Sequence, residues 1–255
     1  MITISICNQK GGIGKTTTAA ALHNALTFKG YKVLSIDVNA QRNLSQTFGA
    51  TTDGITVKDI LLTPAAIKDA IQTTGQGDIV AGSKDLANID ILQAEAGTQD
   101  KYKALKAGLK AIASKYDFCV IDSPPFMGSL LLNCLLASDY IVIVCEADAY
   151  SLGALDDIAE NIQAVKGDNK RLQIAGILLT RYAGRATLTK QLTELFRDPA
   201  HSLGTEVFST PIRENIAIKE AHIMRQSLYE YAPKSNAAQD YLAFTGELLE
   251  RIERR

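Results

Sequence analysis

Lys10, Lys15, Thr16, Asp37 and Asp122 are the side chains whose types and spacing suit a polyphosphate and a divalent cation. The run Lys10-Gly11-Gly12-Ile13-Gly14-Lys15-Thr16-Thr17 is a phosphate-binding loop with a second lysine at its start, where the ordinary form reads G-x-x-x-x-G-K-[ST]. Glycines at positions 11, 12 and 14 let backbone N–H groups turn inward around phosphate oxygens, and a following helix adds positive potential. Lys15 is then expected on the β- and γ-phosphates and the Thr16 hydroxyl on Mg²⁺. A second segment, Tyr116 to Asp122, is an apolar strand that ends in an acid, and a carboxylate at that tip suits a magnesium-bound water opposite Thr16. A third, Val33 to Ile36, runs into Asp37-Val38-Asn39-Ala40-Gln41. In a parallel sheet this tip faces the same ligand, so Asp37 is expected to assist the metal shell and Asn39 to lie near the γ-phosphate.

Elements of two kinds must position these groups. Ile2–Cys7, Lys32–Ile36, Ile89–Gln93, Phe118–Ile121, Tyr140–Cys145, Gln173–Thr180 and Glu206–Ser209 read as strands. Several are continuous Val/Ile/Leu runs, as parallel strands buried on both faces require. Helical patterns fill 16–28, 99–114, 129–137, 152–165, 188–197 and 237–254, and short helices are expected at 57–61 and 64–71. The alternation predicts an α/β fold: one doubly wound, mostly parallel sheet with helices on both faces, in a single domain over residues 1–255. With the loop beginning at residue 10, no N-terminal helix-turn-helix is expected. The net charge of −1 excludes a molecule that attracts nucleic acid or membrane as a whole, so any such binding needs a local patch. The four cysteines lie in apolar runs without C-x-x-C spacing and read as small buried hydrophobes of a cytoplasmic protein. No segment offers the roughly 20 apolar residues of a membrane span.

Taken together, Lys10–Thr17, Asp37–Gln41 and Asp122-Ser123-Pro124-Pro125 resemble the ParA/MinD family of deviant Walker ATPases, and its plasmid and chromosome partition branch most of all. The similarity continues through Gly176–Arg181, Thr210–Asn215 and Tyr231–Ser235, so it spans nearly the whole chain. The resemblance implies an ATPase that uses ATP and Mg²⁺ and that pairs face to face as a homodimer when ATP is bound. Lys10 would reach the partner's phosphates, and Gly11 must be small because the facing loops nearly touch. It also implies an adenine site bordered by Pro211 and Arg213. Further implications are non-specific binding of double-stranded DNA, a nucleoid location and a ParB-like partner that stimulates turnover. Arg185 matches a DNA-contact arginine of the family, and Lys190, Lys219 and Arg225 are further candidates.

One departure matters most. The family pattern is Asp-x-Asp-Pro-Gln, and its second Asp is credited with positioning the hydrolytic water; this chain has Asn39 there. Asparagine keeps the shape and can hydrogen-bond water, but it carries no charge and cannot act as a base. The expectation is a form that binds ATP and pairs but hydrolyses slowly. Rival readings are a MinD-like membrane switch, a metabolic or cluster-bearing enzyme on the same fold, and an ATPase that positions a protein cargo on the nucleoid. The acids of the last helix, Asp240, Glu247, Glu250 and Glu253, oppose anionic lipid, so no membrane partner is expected.

Overall fold

The computed structural model describes residues 1–254 except 99, 127, 147, 149–152 and 183–185, and of residues 154 and 186–193 it describes the backbone alone. Seven strands form one sheet: β1 Ile2–Cys7, β2 Val33–Asp37, β3 Ile71–Thr74, β4 Gly77–Val80, β5 Phe118–Asp122, β6 Tyr140–Glu146 and β7 Gln173–Thr180. Their order is β3-β4-β2-β5-β1-β6-β7, and every pairing is parallel except the β3–β4 hairpin. β1, the strand that feeds the phosphate loop, is thus flanked by β5 and β6 and cannot move without breaking two ladders.

The helices are α1 Lys15–Phe28, α2 Asn43–Phe48, α3 Val57–Leu62, α4 Ile67–Ala70, α5 Ile89–Glu95, α6 Ala104–Lys110, α7 Ser129–Ala137, α8 Gly153–Val165, α9 Ala186–Ser202, α10 Ile216–Met224, α11 Leu228–Tyr231 and α12 Asn236–Glu253. On one face of the sheet α1 and α12 bury Leu22, Leu26, Tyr241, Phe244 and Leu248 against Ile4, Ile6 and Val120. The other face is covered in two blocks, one from α3 to α7 and one from α7 to α9. The apolar stripe of α12 is therefore core packing, and no described helix is long and apolar enough to cross a membrane.

Two of the expected strands are corrected. Ile89–Gln93 is not a strand but most of α5, where Ile89 and Gln93 turn inward one helical turn apart while Ile91 is exposed. Glu206–Ser209 makes a single parallel bridge, Ile177 to Val207, rather than a ladder. Arg251 of α12 holds that segment instead: it donates to the carbonyls of Ala175, Glu206 and Val207 and lies over the Phe208 ring. The expected helix over 99–114 is helical only at Ala104–Lys110 among its described residues. The expected short helix over 64–71 is a 3₁₀ turn followed by α4, and Ile71 already belongs to β3.

Candidate functional site

The phosphate loop leaves β1 and enters α1 with no side-chain cap. Gly14 stands at the N-cap with φ 96°, and Gly12 has φ 76°. Both angles lie in the left-handed region that favours glycine, so the loop's shape is fixed by its glycines. Gly11 is different: a Cβ placed there meets nothing within 4 Å. Its smallness answers no demand within its own chain. Two polar residues that the motif does not contain lock the loop. Asn8 accepts from the Lys10 N–H at 2.8 Å and donates to the Val144 carbonyl at 2.6 Å. Thr180, at the end of β7, donates to the Ile13 carbonyl at 2.7 Å. Neither was picked out from sequence, because a buried Asn or Thr at a strand end carries no spacing signal.

Register brings the acids together. Asp37 and Asp122 are direct partners across β2 and β5, and Ile6 lies opposite Asp122 across β1 and β5. Thr16 Oγ1 donates to Asp122 Oδ2 at 2.6 Å, whereas Asp122 Oδ1 is buried without a partner. Burial, followed by the neighbouring Asp37 charge, pushes the Asp122 carboxyl well above the usual carboxylate range. Lys15 is buried too and donates to the Lys10 carbonyl at 2.8 Å; burial lowers its pKa, while Asp122 opposes that shift. An orphaned carboxylate oxygen, a threonine hydroxyl and a lysine converge where a glycine loop opens. That donor set fits a nucleotide with a hydrated Mg²⁺: Thr16 and Asp122 would hold the metal's shell, and Lys15 the phosphates. The metal's contribution when bound is to neutralise charge developing on the phosphates.

Asp37 is held by its own chain. Its Oδ2 accepts from the Ser45 N–H and hydroxyl at 2.8 and 2.7 Å, and its Oδ1 from the Asn39 N–H at 3.2 Å. These bonds from protein donors make Asp37 shape the turn that lies beside Asp122. Asn39 continues the chain, since its Oδ1 accepts from the Gln41 N–H at 3.0 Å. The Asn39 amide NH₂, a donor, has no such intrachain bond among the described contacts, and Oδ1 keeps one further acceptor site.

A cleft of about 830 Å³ runs from the loop to α10, within the size range of ligand sites. Gly11, Gly12, Gly14, Lys15, Thr16, Thr17 and Asn39 line it, as do Thr180, Ile212 and Arg213. Ile13 is buried beneath the loop, and Pro211 sits one residue outside the lining. The Arg213 guanidinium is not loose: Nε and Nη2 donate to the buried Asp240 of α12 at 2.9 and 2.6 Å, so Arg213 serves the cleft as a braced wall. Lys219 and Arg225 also line the cleft, on α10 and at its C-cap. Arg185 lies outside the described residues, as does the side chain of Lys190.

Lys10 Nζ does not point at the phosphate position of its own chain. It pairs with Glu146, the last residue of β6, at 3.4 Å and with Asp148 beyond it at 2.8 Å, and Glu146 also lies 3.7 Å from Arg181. The Asp148 contact is the main reason its pKa is raised.

Strand, glycine loop and helix over a mostly parallel sheet, with an acid on the next strand, define the class as a P-loop nucleotide hydrolase. Residues 1–174 match an AAA domain family, and residues 132–254 match the 4Fe-4S iron sulfur cluster binding proteins of the NifH/frxC family. The chain is 34% identical to the sporulation initiation inhibitor protein Soj of Bacillus subtilis, over 96% of this chain and 97% of that one. It is 33% identical to the chromosome partitioning protein ParA of Caulobacter vibrioides, over 97% and 94%. Cobyrinic acid a,c-diamide synthase from Mycobacterium smegmatis with ADP and magnesium superposes with TM-score 0.84 at 26% identity, over 99% and 96%. The septum site-determining protein MinD of Pyrococcus horikoshii with Mg-ADP does so at 0.75 and 27%, over 96% and 95%.

The chain belongs to the ParA/MinD-type family of partition and positioning ATPases. It is an ATPase with ATP and Mg²⁺ as cofactors. The NifH/frxC match covers Cys134 and Cys145 of the chain's four cysteines. Cys7, Cys119, Cys134 and Cys145 are all buried, and burial raises each thiol.

Proposed function

We propose that this protein is an ATP-dependent dimerising switch that binds non-specific double-stranded DNA and serves plasmid or chromosome partition, with a ParB-like partner as its stimulator. The observation that carries the switch is the placement of Lys10. Its ammonium sits at the loop's outer edge against Glu146 and Asp148, while Gly11 beside it borders open space. Two triphosphates facing each other repel unless cations lie between them. A Lys10 from each subunit supplies those cations, and ADP lacks the γ-phosphate they need, so ATP favours the pair and hydrolysis releases it.

Within each subunit Lys15, Thr16 and Asp122 hold ATP·Mg²⁺, and Asn39 governs turnover. With its carbonyl oxygen engaged by Gln41 and no charge, Asn39 orients water without taking its proton, so the ATP-bound pair is long-lived. The names of relatives that partition chromosomes support the reading of cargo. Light scattering after gel filtration tests the switch: dimer with ATP·Mg²⁺ and monomer with ADP·Mg²⁺ is the expected result. A single mass in both nucleotides would remove it. Retention on duplex DNA with each nucleotide tests the DNA half separately.

A further inference from the structure

The four candidate DNA contacts do not make a surface among the described residues. Lys219 and Arg225 line the nucleotide cleft, and the side chains of Arg185 and Lys190 lie outside the description. A different region carries the strongest positive charge. Between Asp100 and Asp117 the chain has five lysines and no acid, and the turn between α8 and β7 adds Lys166, Lys170 and Arg171 around Asp168. The fold joins these two stretches. Lys103 Nζ pairs with Asp168 at 2.7 Å, and Lys103 followed by Lys106 holds that carboxyl below its usual range.

The α6 segment is sorted by face. Ala104, Leu105, Gly108, Leu109 and Ile112 point into the core, whereas Lys103, Lys106 and Lys110 are exposed at helical spacing on the other side. At 1.5 Å per residue these three lysines extend over about 10 Å. Duplex DNA carries a charge roughly every 1.7 Å of its axis, so such a row meets several phosphates at once. The placement also defies local preference. Lys103 stands at the N-cap and Lys106 in the first turn, which holds no acid, although a helix start favours negative charge. A residue choice that opposes its own helix signals a demand from outside it. Of the nearby acids, Asp168 pairs with Lys103, Asp90 lies 3.5 Å from Lys101, Asp139 accepts from the Thr3 N–H at 2.8 Å, and Asp100 adds its field at Lys103.

We infer that the face formed by α6 and the α8–β7 turn binds the phosphate backbone of duplex DNA through Lys103, Lys106, Lys110, Lys166, Lys170 and Arg171. The inference rests on the DNA-binding reading given above. It relocates the contact to the end of the sheet where β5 and β7 begin, away from the cleft at the ends of β1, β2 and β5. Duplex fits better than a membrane, because the apolar side of α6 is buried and its exposed side offers no side chain to insert. It fits better than single strands, because the neighbouring aromatic, Tyr102, is covered by Lys101 Nζ at 5.0 Å from its ring centre.

The test compares the full chain with a Lys106→Gln/Lys110→Gln/Lys170→Gln triple variant, with Lys→Arg at the same positions as control. Both are followed on a random-sequence linear duplex with ATP·Mg²⁺ as salt rises from about 50 to 200 mM. Loss of three contacts should flatten the log–log salt slope by about 2–3 per subunit and cut retention roughly tenfold or more. The Arg version should keep the original slope, and ATP-induced pairing should be unaltered in both. If the unaltered chain retains DNA and the Gln triple retains it equally, with the same slope, the patch is wrong while the DNA reading stands. If the unaltered chain ignores DNA, whether or not it floats with phosphatidylglycerol vesicles, the DNA reading fails and takes the patch with it.

Discussion

At the carboxyl ends of β1, β2 and β5, Lys15, Asp37 and Asp122 are withdrawn from solvent, while at the amino ends of β5 and β7 Lys106, Lys110 and Lys170 stand in it. The first set is held by short hydrogen bonds to Thr16, Ser45 and the Lys10 carbonyl. Among the described residues the second shows no such framework beyond the Lys103–Asp168 pair. Burying charge is costly unless a partner arrives, so the first end is built for one ligand in one geometry. Solvated charges cost almost nothing and tolerate many arrangements, which suits a backbone of repeating phosphates with no sequence to read.

The sharpest way to break this contrast is Asp122→Asn. The carboxyl's pKa is raised above its unfolded value near 4, so the folded state binds that proton more tightly. The sign follows: this group's stability contribution is present at low pH and is lost as pH rises from about 4 through the raised pKa. Removing the acid should therefore raise the melting point of the protein alone at neutral pH, by about 1–3 kcal/mol of stability. It should also abolish the further gain that ATP·Mg²⁺ gives. A variant that melts lower without nucleotide would show that the buried carboxylate is not the strained group we take it to be.

Asn39→Asp comes next. A positioned general base contributes roughly 10²–10⁴-fold, so steady-state ATP turnover should rise at least about tenfold with little change in ATP affinity. Unchanged turnover would end the role given to position 39. Gly11→Val probes the same end from outside. Because a side chain there meets nothing in its own chain, fold and ATP binding should survive while the ATP-induced dimer is lost. A variant that still pairs would mean that the facing loops do not approach closely.

The phosphate loop and Asp122 were legible because their chemistry demands fixed types at fixed spacing, and the sheet's middle strands because they are unbroken apolar runs. The misreadings have physical causes. Ile89-Asp90-Ile91-Leu92-Gln93 alternates as an edge strand would, yet two more residues complete two helical turns that bury Ile89 and Gln93. The β3–β4 hairpin escaped notice because Ile71–Thr74 is a short, polar edge strand joined by two residues to Gly77. Asp37 was read by its position at a strand tip. Only the fold reveals that Ser45, eight residues on, takes the carboxylate for the protein's own turn. Likewise Asp240 counted in sequence as an acid against lipid, and in the fold it braces Arg213.

The smallest effect expected is also the one most specific to the switch. Lys10 must leave Glu146 and Asp148 before it can meet a partner's phosphates, so these acids compete with pairing. The Lys10 side chain is over a third exposed, and screened pairs of this kind contribute about 0.2–1 kcal/mol each. A Glu146→Gln/Asp148→Asn variant should thus pair at an ATP concentration roughly two- to fivefold lower, and the difference should shrink as salt screens the contacts. Lys10→Ala should pair poorly whatever stands at 146 and 148, because the acids act only through that ammonium. An equal effect of the acid substitutions with and without Lys10 would place their influence elsewhere, with Arg181 beside Glu146 as the next residue to test.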